Sequence, residues 1–286
     1  MKKMILFLFL IALSAGTGKG LYTLKKGFTP RRIHCLGTTV SENWSREADQ
    51  ALSQSYTYLG RGRQCFAFAS QDGKYVLKLP RTDIYKIPLW VRALPFSSLR
   101  EKMHADRIKR EDYIVGSMHI AFNELRDQTG ILALHLGQSN SRGRKLTLID
   151  ALGCKHHLPL ESTPFVLQYK HPILMKSFQD ALATGKREEA KAILDALIVA
   201  VFERGAKGIL NKDRSFLRNY GFDGQKAYQI DIGSFFRIEG MERSDAFHKS
   251  VRDSMDAVKE WMANTDPDML EYLNHKLDEE TSKLSL

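Results

Sequence analysis

Asp213, Asn219 and Asp231 are two carboxylates and an amide within 19 residues of one another. Oxygen-bearing side chains of this kind can hold a hard cation such as Mg²⁺ against a phosphate, and a spare carboxylate can orient a hydroxyl. Asp231 follows the short expected strand Ala227–Ile230 and precedes Ile232-Gly233, so it fits a metal carboxylate; its plainer reading is a turn aspartate closing a strand. Asn219, twelve residues earlier, is the matching amide ligand. Far upstream, Lys78 sits in Val76-Leu77-Lys78-Leu79. A cation inside an apolar strand needs a partner, and a phosphate is one; otherwise it faces solvent. The pair Gly60 and Gly62 precedes it, separated by Arg61. Glycines there let backbone N–H groups approach phosphate oxygens, although an ordinary hairpin shows the same pair.

These residues need elements to position them. Tyr56–Leu59, Cys65–Ala69 and Tyr75–Leu79 read as strands, with turns at Gly60–Arg63 and at Asp72-Gly73, which predicts a three-stranded antiparallel meander. Ser98–Glu101 matches a capping box and opens a long helix to about Asp127, with a break expected near Gly116. Of its glutamates Glu101, Glu111 and Glu124, the last lies beside the Ala121/Leu125 register and is the preferred partner for Lys78; a solvated helix carboxylate is the alternative. Strands are expected at Ile131–Leu136, Lys145–Ile149 and Phe165–Tyr169. A helix capped by Gly185, a broad-faced core helix from Arg187 to Arg204 closed by Gly205, and tail helices at Ser244–Asn264 and from Pro267 complete the pattern. His156 and His157 are adjacent on a hairpin strand and point to opposite faces, which argues against a joint metal site.

The order strand, glycine loop, strand, lysine strand, long helix, strands, helices, polar loop, strand and Asp231 resembles the protein-kinase-like superfamily over roughly 180 residues. The resemblance implies an α+β, two-lobed fold with a small antiparallel N-lobe (55–170) and a mostly helical C-lobe (171–286). It implies ATP and Mg²⁺ as cofactors. Lys78 would contact the α- and β-phosphates and pair with Glu124. Gln168 and Tyr169 would lie where family members present backbone groups to adenine. Asn219 and Asp231 would hold the metal, and Asp213 would be the catalytic aspartate. The sequence departs from the family in three places. Cys65 replaces the third glycine, His-Arg is missing before Asp213, and Asp213 stands six residues before Asn219 where the family has five. The last departure bears on catalysis more than on nucleotide binding. With 55 residues after Asp231 and no Ala-Pro-Glu segment, a small-molecule or glycan phosphotransferase, or a non-catalytic kinase-like binding protein, fits better than a conventional protein kinase.

Composition narrows the partners. Hydrophobic residues make up 43% and charged residues 27%, ordinary for a globular chain. The formal charge is +10, yet no zinc-finger spacing, basic-plus-heptad region or aromatic RNA-binding strand accompanies it, so nucleic acid is not the expected partner. Cys35, Cys65 and Cys154 are odd in number and lack metal-ligand spacing. Lys2 and Lys3 precede the apolar run Met4–Leu13 and then small residues to Gly18, the layout of a signal peptide over 1–18. Export is one expectation. An uncleaved anchor is the other, with Lys25, Lys26, Arg31 and Arg32 of the 19–54 extension against an anionic membrane surface.

Overall fold

The computed structural model describes residues 23–36, 44–85, 91, 97–138, 143–213, 216–238, 251, 253 and 255–284. The leader, and the expected start of the tail helix near Ser244, lie outside them. Among the described residues no helix is long and apolar enough to cross a membrane. The chain forms two compact units: Met1–Ala93 with Leu132–Leu167, and Leu94–Ile131 with Gln168–Leu286.

The first unit is built on a mixed sheet. Helix α1 (Arg46–Leu52) starts where the Ser45 hydroxyl accepts the Ala48 N–H, and it buries Ala48, Ala51 and Leu52. Strands β1 (Ser55–Arg61), β2 (Cys65–Ser70) and β3 (Tyr75–Pro80) form the expected meander, and β4 (Ile131–His135), β5 (Lys145–Ile149), β6 (Lys155–Pro159) and β7 (Phe165–Tyr169) extend it. The order is β4-β7-β3-β2-β1-β5-β6, with β1 and β5 parallel. Strand periodicity divides the meander into two faces. Phe66 pairs with Leu79 and Phe68 with Leu77, all fully buried. Phe28 packs edge-on against both phenylalanines, at centroid distances of 5.3 and 4.9 Å. Each such side chain contributes about 1.5–3 kcal/mol by leaving water, so this face holds the meander together. The opposite face carries the pairs Ala67↔Lys78 and Ala69↔Val76.

The second unit is helical around two short hairpin-like pairs. Helix α2 (Ser97–Asn123) is already under way at Ser97 and runs through Gly116 without a break. A lone glycine costs about 1 kcal/mol in a helix, less than the buried stripe Ile114, Ser117, Met118 and Ala121 returns. A separate turn, α3 (Arg126–Thr129), follows and ends at the left-handed Gly130. Helices α4 (Leu174–Ala183) and α5 (Arg187–Ala206) are joined through Gly185, whose φ is +73°. Helix α5 continues through Gly205; the left-handed residue after it is Gly208, φ +68°. Strand β8 (Ile209–Asn211), helix α6 (Phe216–Asn219) and strands β9 (Tyr220–Phe222), β10 (Ala227–Gln229) and β11 (Phe235–Arg237) follow, β8 pairing with β11 and β9 with β10. Helices α7 (Asp256–Thr265) and α8 (Pro267–Leu284) close a core that includes Phe178, Leu194, Ile198, Tyr220, Met262 and Leu273.

Candidate functional site

In the first unit the candidate residues ride on the ladder. Lys78 is half-buried on the face opposite Leu77 and Leu79, directly across from Ala67. Its neighbours on that face, Ala67, Ala69 and Val76, are small, which leaves a shallow, partly exposed strip beside the ammonium stem. The β1–β2 register shifts between Tyr58 and Gly60, so that Leu59 is the extra residue of a bulge and stands 54% exposed next to Gly60. Neither Gly60 nor Gly62 has a positive φ. Their contribution is the missing side chain: a Cβ on Gly60 would meet nothing within 4 Å. The Gly62 N–H donates to Cys65 C=O at 2.8 Å, closing a tight turn. Arg81 pins the tip of that turn, its N–H donating to Gln64 C=O at 2.6 Å and its guanidinium to Arg63 C=O at 3.2 Å. Among the described residues no disulfide joins Cys35, Cys65 or Cys154.

The same unit holds a second polar cluster. The Asp150 side chain is fully buried, 2.8 Å from His156 Nε2 and 3.7 Å from Lys25 Nζ, and its Oδ1 accepts the N–H groups of Leu152 and Cys154. Burial pushes its pKa up, but these bonds and His156 together hold it below the usual carboxylate range. His157 sits on the other side of the strand, its Nδ1 within 3.2 Å of Thr147 Oγ1.

In the second unit short strands and turns carry the candidates, held by side chains the sequence did not single out. The β9–β10 ladder pairs Tyr220 with Gln229, and one further rung, Ile230 N–H to Asn219 C=O at 2.8 Å, brings Asn219 beside the residue preceding Asp231. Asn219 is 7% exposed, and its Nδ2 has no hydrogen-bond partner among the described residues. The Asp231 carboxylate is half-buried and accepts the Gly233 N–H at 3.4 Å, a long contact. Helix α2 grips the chain just beyond it. The Ser117 hydroxyl donates to Ile232 C=O at 2.5 Å and accepts the Phe235 N–H at 2.7 Å, while Tyr113 donates to Ser234 C=O at 2.9 Å. The loop after β8 is tied to the same segment. Asn211 pairs with Phe235, Lys212 N–H donates to Ser234 C=O at 3.0 Å, and the Lys212 ammonium lies 4.6 Å from the Tyr113 ring centroid. Asp213 follows directly, its N–H donating to Asn211 Oδ1 at 2.7 Å. The chain segments bearing Asp213, Asn219 and Asp231 are therefore linked to one another by backbone bonds.

The remaining predicted residues also lie in this unit. The Glu124 carboxylate forms an ion pair with Arg237, and its C=O accepts from Lys207 Nζ at 2.6 Å. Gln168 is buried; its Nε2 donates to Thr129 C=O at 2.9 Å, and among the described residues its Oε1 has no partner. Tyr169 donates its N–H to Gly130 C=O at 3.0 Å. Beyond it His171 stacks on Tyr228, centroids 4.2 Å apart, and Phe222 N–H bonds Pro172 C=O at 2.9 Å. Gly221 makes that approach feasible, since a Cβ there would fall 2.7 Å from His171 Cβ.

Among the described residues no three His, Cys, Asp or Glu side chains cluster as a metal site. One carboxylate and one amide are what Mg²⁺ takes when phosphates and water supply its other ligands, so the donor set Asn219 and Asp231 fits that ion. Ser117 carried a faint sequence signal, a hydroxyl in the apolar register of Ile114, Met118 and Ala121; Tyr113 and Lys212 carried none.

No family model and no curated protein sequence matches the chain. Among solved structures it is similar to WbdD, at 15% identity and TM-score 0.36 over 77% of this chain and 44% of that one. A second structure, described as the bifunctional kinase-methyltransferase WbdD, aligns at 15% identity and TM-score 0.35, covering 77% of this chain and 43% of that one. Rv3197 from Mycobacterium tuberculosis, solved with erythromycin, aligns at 11% identity and TM-score 0.35, covering 76% and 57%. The chain spans less than half the length of WbdD. Likenesses this distant assign neither a family nor an activity.

Proposed function

We propose that the protein is an atypical, two-lobed kinase-like phosphotransferase that uses Mg-ATP to phosphorylate a hydroxyl of a small molecule or glycan. The observation that carries this reading is the Asn219–Ile230 rung, which brings the amide residue beside the residue preceding Asp231 in the chain order that kinase chemistry uses. Lys78, on the strand after the glycine turn, would neutralise phosphate charge. Asn219 and Asp231 would hold Mg²⁺, which supplies charge neutralisation on the phosphate oxygens. Asp213 would orient the acceptor and take its proton, as the acceptor oxygen bonds to the γ-phosphorus and the bond to the β–γ bridging oxygen breaks to release ADP. Leu59 and the Ala67–Val76 strip would cover the base, and the backbone at Gln168 and Tyr169 would meet its edge. Most of the rate would come from positioning and electrostatics.

Two departures from the family pattern favour a second reading, a nucleotide-binding protein without turnover. The extra residue between Asp213 and Asn219, and the missing His-Arg before Asp213, remove the family's usual support for a base. Thermal unfolding with and without Mg-ATP tests the site shared by both readings. Wild type is expected to gain about 2.7 kcal/mol at a hundredfold excess over Kd, and Asp231→Asn to lose that gain. No stabilisation of wild type at millimolar Mg-ATP rejects the site. Stabilisation without ADP release across a panel of hydroxyl acceptors selects the second reading.

A further inference from the structure

We infer that Arg204 is a positioning residue for the Asn219–Asp231 pair, an assignment that rests on the Mg-nucleotide reading. Arg204 lies in the last turn of α5 and is 3% exposed. Among the described residues no carboxylate lies within ion-pair distance of it, and its Nε has no acceptor. Desolvating a guanidinium without a counter-charge is costly, and an apolar residue at such a place commonly serves stability better. The side chain's hydrogen bonds show what it does instead. Its Nη1 donates to Tyr220 Oη at 2.8 Å and to Gln229 Oε1, and Tyr220 OH donates to the same Gln229 oxygen at 3.2 Å.

Tyr220 and Gln229 are the cross-strand pair next to the Asn219–Ile230 rung. The β9–β10 ribbon has three residues per strand, too short to hold its own ends. Arg204 staples the two strands at the position where they would otherwise fray, and the rung beyond it sets the spacing of the amide and the carboxylate. From α5 the one guanidinium nitrogen reaches both strands, so it holds β9 and β10 to the helix and to each other, one residue from Asn219 and two from Asp231.

The test is ATP binding to the full chain by calorimetry as a function of Mg²⁺ concentration, together with hydrogen exchange at the Ile230 amide. Arg204→Met is expected to raise the Mg²⁺ concentration for half-saturation at least tenfold and to leave metal-free ATP affinity within twofold. It should also speed Ile230 exchange at least tenfold while Ile198 in α5 exchanges as in wild type. Arg204→Lys should recover part of both effects. Tyr220→Phe removes one hydroxyl and keeps the ring, and should shift both readouts in the same direction by about threefold, which keeps the test valid if Arg204→Met does not fold. A wild type whose ATP binding depends on Mg²⁺, with variants that keep the wild-type Mg²⁺ midpoint and Ile230 exchange, overturns the assignment alone. A wild type whose ATP binding is absent or indifferent to Mg²⁺ overturns the Mg-nucleotide reading, and the assignment with it.

Discussion

The two units support their candidate residues in different ways. In the first, Lys78 is placed by strand register: its neighbours Leu77 and Leu79 are anchored in a packed face, and alternation turns Lys78 to the other side. In the second, Asn219 and Asp231 lie just outside the ends of three-residue strands and are placed by particular side chains, Ser117, Tyr113 and the Arg204–Tyr220–Gln229 lock. The difference teaches that function and stability should separate cleanly in the first unit and be entangled in the second.

Neighbouring residues in β3 give the largest expected contrast. Leu77→Ala should cost about 2–5 kcal/mol, because it empties a fully buried site. Lys78→Met, one residue along on the open face, should stay within about 1 kcal/mol and lose ATP affinity. Urea unfolding read beside ATP titration checks both, and equal stability losses would break the comparison. Glycines sharpen it at an intermediate scale. Gly221→Ala places a methyl 2.7 Å from His171 Cβ and 3.2 Å from Ile230 Cγ2, and should cost about 1–3 kcal/mol. Gly60→Ala, with open space around its Cβ, should change stability by less than about 0.5 kcal/mol, so any effect on nucleotide binding there is functional.

The smallest expected effect is one of pH. Burial lowers the His171 pKa below its ordinary 6.5, with Asp223 opposing. The unfolded chain therefore binds a proton more readily. This residue's contribution to stability is complete above 6.5 and declines as pH falls from there through the folded pKa. His171→Phe keeps a ring against Tyr228 and should flatten that decline by roughly 1 °C in Tm between pH 7 and 5, after allowance for solvent screening. An unchanged slope would place the titration elsewhere.

The sequence was most legible where periodicity is strong. Alternation in Cys65–Ala69 and Tyr75–Leu79 located the meander, whereas the register that sets Lys78 across from Ala67 was read only from the structure. The parallel pairing of β1 with β5 was invisible, since nothing local encodes which distant strand closes an edge. The expected break at Gly116 failed because tertiary burial outweighed local propensity. Around Asp231 the motif residues stood out by type and spacing. Arg204 did not: in sequence it is a charged residue near a helix end, and only the fold reveals that it is buried.

The proposed function requires that Lys78 and Asp231 serve one Mg-nucleotide. ATP affinity with Mg²⁺, measured for wild type, Lys78→Met, Asp231→Asn and the double variant, tests it most directly. The account predicts at least a tenfold loss, about 1.4 kcal/mol, in each single variant, and a double variant that binds less weakly than the product of the two losses requires. Losses that multiply fully, or a single variant that binds as wild type does, would contradict it.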